Sequence, residues 1–155
     1  MKFKVQVENL LSKSLDENPS LFLIDIKFTF DNKIKIILDG DDSVSLKDCI
    51  KVSRDIEFNL DRDEIDFSLE VSSVAADSPL VNRRQYLKNI GRKLSIEDTL
   101  GNDFEGILKS VGESEILIEW KERQPKKIGK GKETVIKKKN LSFSEITQAK
   151  VILKF

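Results

Sequence analysis

The chain has 155 residues with 27 Lys/Arg, 27 Asp/Glu, one Cys and no His, so its formal net charge is zero. The length fits one ordinary domain or two small ones, and the lone Cys49 excludes an internal disulfide framework and fits a reducing cytoplasm. The absence of His removes Ser-His and Cys-His nucleophilic pairs and any His-based zinc site.

Phe3, Val7, Leu10, Leu11 and Leu15 recur at helical spacing, so an amphipathic helix is expected over residues 3–17, ended by Pro19. This N-terminal stretch carries acids early and no long apolar run, so no signal peptide is expected. No run in the chain nears the roughly 20 apolar residues of a membrane-crossing helix. Phe22, Ile24, Ile26, Phe28 and Phe30 alternate with mixed residues, which predicts a strand with an aromatic buried face. Asp31-Asn32 signals a turn. Ile34, Ile36 and Leu38 then predict a second, antiparallel strand.

Ser45 followed by Asp48 is an acidic capping box opening a helix from about Leu46 to Leu60. Its expected inner face is Leu46, Cys49, Ile50, Ser53, Ile56 and Leu60. Phe67, Leu69 and Val71 give a third strand. Residues 1–80 therefore read as an α-β-β-α-β domain, two helices on a three-stranded sheet, within an α+β chain.

Residues 81–155 read differently. Arg83 to Ile90 is a short helix or turn ended by Gly91. Alternation at Leu94/Ile96, Phe104/Gly106/Leu108, Ile116/Ile118/Trp120 and Val151/Leu153/Phe155 predicts short strands, with a helical turn at Ser142 to Ile146. Short strands with Gly-marked turns suggest a small barrel. Trp120 is expected in its core.

Zero net charge conceals an asymmetry. Residues 1–80 hold 10 Lys/Arg and 17 Asp/Glu, a net of −7, whereas residues 121–139 hold 9 and 2, a net of +7. The basic stretch reads as a loop, with Thr134-Val135-Ile136 as a short strand inside it. Lys126, Lys127, Lys130, Lys132, Lys137, Lys138 and Lys139 are its candidate RNA contacts, since lysines on a flexible segment suit phosphates. The competing reading is a solvated hairpin tip that keeps a sheet edge soluble.

Other motifs point to no chemistry. Gly129-Lys130-Gly131-Lys132 lacks the P-loop frame. Asp39, Asp41 and Asp42 surround Gly40, but the twelfth position of a calcium loop would be Ile50. No elbow surrounds Ser72-Ser73. No catalytic residue, metal or cofactor is expected.

Several segments together resemble the RimP-type ribosome maturation factor family. Leu21 to Phe30 is similar to that family's L-V-D-V-E-F strand, and Val44 to Asp55 (VSLKDCIKVSRD) to its V-T-L-D-D-C-x-x-V-S-R helix start. Val71, Ser72, Ser73, Asp77, Pro79 and Leu80 match a strand-end motif reading close to V-S-S-P-G-L-D-R-P-L; Val74, Ala75, Ala76 and Ser78 depart from it. Phe104-Glu105-Gly106 with Leu108 resembles F-x-G-x-L, and Ala149 to Leu153 the closing strand.

The resemblance implies an N-terminal α/β domain, a C-terminal SH3-like barrel and a seam near 80. It implies a non-enzymatic factor; together with the lone Cys and the lack of a long apolar run, a cytoplasmic monomer without membrane contact is expected. Its partners would be the small ribosomal subunit, a basic ribosomal protein near the decoding centre and ribosomal RNA. Ser72, Ser73, Asp77 and Pro79 become candidates for an interdomain or partner contact. A different class stays open: a protein-only interaction module whose acidic first domain binds a basic partner.

Overall fold

A computed structural model describes residues 2–61 and 63–153. The chain divides into two compact units, Met1–Ala75 and Ala76–Phe155. The division precedes the sequence-based boundary at 80 because Leu80 belongs to the second unit. Its N–H donates to the Ala149 carbonyl at 2.8 Å, and its side chain packs on that unit's core.

The first unit runs α1 (Lys2–Glu17), β1 (Leu21–Phe28), β2 (Lys33–Gly40), α2 (Leu46–Glu57) and β3 (Ser68–Ser73), the expected order. β2 is central, antiparallel to β1 and parallel to β3. The parallel pairing follows from α2, which returns the chain to the starting end of the sheet. Ile34, Ile36 and Leu38 are each 0% exposed. Val7 and Leu11 of α1, Val52 and Ile56 of α2, and Phe67 join them in one core. Each such side chain contributes roughly 1.5–3 kcal/mol by leaving water. Ser14 ties the helices together, its Oγ donating to Asp55 Oδ2 at 2.7 Å. At the β1–β2 turn Asn32 takes a left-handed φ of 59°, which its short polar side chain tolerates.

Two expectations need correction here. The β1–β2 register shifts between Leu23 and Asp25, leaving Ile24 as an extra, bulged residue. A bulge exchanges the faces beyond it. The core-side set is therefore Leu21, Leu23, Ile26 and Phe28, not an unbroken Phe22-to-Phe30 series, and Phe30 lies exposed beyond the strand. The second correction concerns α2. Its capping box forms as expected, with Asp48 N–H donating to Ser45 Oγ at 3.1 Å and Ser45 N–H to Asp48 Oδ2 at 2.9 Å. Its buried face, however, is Cys49, Val52 and Ile56, while Leu46 and Ile50 are 77% and 41% exposed. Two helices share one face of a three-stranded sheet, so part of the α2 apolar stripe overhangs β3 uncovered.

The second unit runs α3 (Arg83–Lys88), β4 (Lys93–Asp98), β5 (Asp103–Val111), β6 (Glu115–Pro125), β7 (Lys132–Ser142), a 3-10 turn (Phe143–Glu145) and β8 (Ile146–Val151). Asn82 caps α3, accepting from Arg84 N–H at 2.9 Å, and Gln85 reaches back to the Asn82 N–H at 3.1 Å. The sheet order is β7-β6-β5-β4-β8, antiparallel throughout. The sheet is open: its end strands β7 and β8 do not pair, so the ladder does not close into the expected small barrel. The 3-10 turn redirects the chain, held by Thr99 N–H donating to the Glu145 carbonyl at 2.9 Å, and β8 pairs with β4 instead of folding back on β7. The sheet still curls around one core, because Leu141 of β7 and Ala149 and Val151 of β8 share it with Tyr86, Leu94, Ile96, Leu108, Ile116 and Ile118. Burial pushes the Tyr86 phenol up to about 12. The expected closing strand ends at Val151, and Phe155 lies outside the described residues. Among the described residues no helix is long and apolar enough to cross a membrane.

Candidate nucleic-acid interface

The basic stretch is not a loop. β6 and β7 pair without interruption from Glu115/Ser142 to Pro125/Lys132, so residues 121–125 and 132–139 are strands. The connecting turn is closed by Lys126 N–H donating to the Gly131 carbonyl at 3.1 Å. Gly129 and Gly131, with φ of 88° and 98°, supply its left-handed positions. β5 pairs with β6 only between Ile107/Glu119 and Val111/Ile116. Beyond Glu119 the β6–β7 pair therefore continues as a two-stranded arm. Gly106 sits where β6 leaves β5: a Cβ there would meet the Glu119 carbonyl oxygen at 3.0 Å.

Alternation along a strand divides the arm into two faces. Trp120 opposes Lys137 and Ile118 opposes Lys139, which puts both lysines on the core side. Lys139 Nζ lies 4.9 Å from the Phe104 ring centroid, and Phe104 lies 6.3 Å from Trp120. Trp120 itself is half-buried against the core, as its periodicity predicts. On the opposite face are Lys121, Arg123, Lys132 and Lys138, joined at the tip by the exposed Lys126, Lys127 and Lys130. Glu119 lies between Lys109 and Lys138 at 3.8 and 3.9 Å and partly neutralises that end.

The seven candidate lysines thus do not share one surface. Five lie on the outer face or the tip, and Lys137 and Lys139 turn inward. Lys121 and Arg123 complete the outer face, and the sequence reading names neither as a candidate. The signal that finds them is the period of two, once residues 121–125 are recognised as strand. Lys126, Lys127, Lys130 and Lys132 form no ion pair with any described residue.

The seam candidates lie in separate units. Ser72 and Ser73 end β3, opposite Ile37 and Leu38, and Asp77 and Pro79 are exposed in the irregular segment that opens the second unit. The departure at Val74 to Ser78 needs no left-handed backbone, since among the described non-glycine residues Asn32 alone has positive φ. Asp39 accepts from the Gly40 N–H at 2.8 Å, a turn arrangement. Among the described residues no group of three or more Cys, Asp or Glu could hold a metal ion. Cys49 is buried, and burial, with Asp48 beside it, pushes its thiol up, away from the reactive thiolate.

Comparison with known proteins gives this geometry its context. The RimP N-terminal domain model matches residues 11–77. "Ribosome maturation factor RimP" of Flavobacterium psychrophilum is 50% identical over 155 residues, covering 100% of both chains. The protein of that name from Christiangramia forsetii is 51% identical over 152 residues, covering 98% of this chain and 99% of the relative. That from Cytophaga hutchinsonii is 33% identical over 165 residues, covering 99% and 98%. With likeness over the whole length of both chains, and not over the first unit alone, this chain belongs to the RimP family of ribosome maturation factors.

Proposed function

We propose that the protein is a non-enzymatic maturation factor that binds the small ribosomal subunit in the cytoplasm while that subunit is being assembled, and that it does so as a monomer. The observation that carries this reading is the basic outer face of the β6–β7 arm in a chain of this family. Four cations on one strand-pair face and three lysines at the tip match the spaced phosphates of ribosomal RNA, where lysine acts as a mobile point charge. The first unit takes the other half of the task. Its residues 1–75 hold 10 Lys/Arg and 16 Asp/Glu, a net of −6. Such a surface repels phosphate and favours a basic ribosomal protein, the one near the decoding centre that the family resemblance implies.

The second unit works in this scheme as an SH3-like barrel. The 3-10 turn before the last strand and the common core shared by both end strands support that assignment. The mechanism is binding: hold a protein and an RNA segment together, then leave, with association speeded by the lysine field. Co-sedimentation tests it. The purified protein should travel with free small subunits and not with assembled ribosomes. Equal binding to both, or to neither, refutes the reading. A protein-only interaction module would leave naked ribosomal RNA unbound at low salt.

A further inference from the structure

We propose that the outer edge of β3, with the groove between it and α2, is a strand-addition site for an extended basic polypeptide segment. This names a binding mode for the acidic first unit and rests on the functional reading above for the class of partner.

The backbone supplies the first argument. β3 pairs with β2 alone within its sheet. Ser68 N–H donates to the Asn32 carbonyl at 3.2 Å and Val74 N–H to the Leu38 carbonyl at 2.9 Å. In a parallel ladder alternate residues of a strand bond to a given neighbour. The peptide groups of Leu69, Val71 and Ser73 therefore point away from β2, toward the open edge. Sheet edges are ordinarily blunted by bulges, Pro or Lys. β1, the opposite edge, carries a bulge and Lys27. β3 reads SLEVSS and has none of these devices.

The second argument is the groove. It has a volume of about 380 Å³, and Leu46, Cys49, Ile50, Leu69 and Val71 are among its lining. The exposed Leu46 and Ile50 are the overhanging part of the α2 stripe. A strand added to β3 would place every second side chain into this groove.

The third argument is charge, which selects the occupant. Residues 61–66, which immediately precede β3, hold four acids and one Arg, Glu70 lies on β3, and Arg54 and Glu57 also line the groove, so acids outnumber cations six to two. Lys and Arg on an incoming segment are attracted along this line, and phosphate is repelled. The occupant is therefore a polypeptide that alternates apolar and basic residues.

The test uses the full chain and capped peptides of about eight residues, a typical strand length. One alternates Lys with Val, and the other alternates Glu with Val. The Lys–Val peptide should shift the amide resonances of Leu69, Val71 and Ser73 and bind at least about tenfold more tightly than the Glu–Val peptide, a 1.4 kcal/mol difference. Ser73→Pro removes one outward N–H at a position where an edge strand accepts Pro, and Ile50→Lys places a charge in the groove. Each should weaken binding about tenfold or more, with the circular dichroism spectrum unchanged. Ile50 is exposed, so that variant keeps the test decisive even where Ser73→Pro loosens the sheet. No saturable binding below about 1 mM, equal affinity for the acidic peptide, full affinity in Ile50→Lys, or competition by an oligouridylate overturns the proposal. Peptide failure with co-sedimentation intact sinks this site alone; loss of co-sedimentation with peptide binding intact sinks the functional reading alone.

Discussion

Replacing Lys126, Lys127, Lys130 and Lys132 together with Gln tests the arm as an RNA contact. All four are exposed and free of ion pairs with described residues, so their full charge is available to phosphate. Each phosphate contact contributes about 0.7–0.9 to the slope of log affinity against log salt. Four contacts contribute roughly 3 to that slope, and at about 0.15 M salt their loss costs two to three orders of magnitude in affinity. Folding stability should move by no more than about ±0.5 kcal/mol per site, as for exposed positions remote from packing. The assay is equilibrium binding to fluorescently labelled small subunits across a salt series, with urea denaturation in parallel. Two control sets define specificity. Neutralising Lys13, Lys33 and Lys35 in the acidic unit should leave the slope unchanged. Neutralising the inward-facing Lys137 and Lys139 should change the slope far less than an equal number of tip lysines. An unchanged slope in the fourfold variant would leave the arm a solvated hairpin, and an equal fall in the controls would reduce the effect to bulk charge.

Three further outcomes follow from the packing. Gly106→Ala should destabilise the second unit by about 1–3 kcal/mol through overpacking, because the new Cβ meets backbone oxygen at 3.0 Å; a thermal melt of that unit reads it. Ile36→Ala in the central strand should cost about 2–5 kcal/mol and unfold the first unit while the dispersed resonances of the second persist; loss of both sets together would refute independent folding of the two units. Asp48 is held below its ordinary value of 3.8 by the Ser45 backbone N–H, with the Ser45 side chain adding to it. Its contribution is therefore present above pH 3.8 and lost as pH falls through the lower folded value. The difference in urea midpoint between the parent and Asp48→Asn should be full near neutrality and vanish in acid; a difference that grows in acid would refute the capping role.

Local chemistry determined much of this protein from the sequence alone. The helical stripe of α1, the alternation of Ile34, Ile36 and Leu38, the Ser45/Asp48 box and the Gly91 stop are each encoded within a few residues. Their elements form where the pattern places them. The family, too, was legible, because motifs in a fixed order survive without knowledge of any contact. What required tertiary structure was decided by partners distant in the chain. Ile24 is a bulge only because β2 pairs with β1 in a shifted register, and that shift puts Leu21 and Leu23 on the helix-covered side with Ile26 and Phe28, while Phe22 is buried outside that cluster. Leu46 and Ile50 lie open because the sheet ends at β3, which the helix's own periodicity cannot convey. The lysine stretch read as a loop because its residues are polar and carry little apolar alternation. Cross-strand pairing of β6 with β7 made it an arm, and a period of two then sent Lys138 outward and its neighbours Lys137 and Lys139 inward. Charge was written in the sequence, but the face that carries it was set by the ladder.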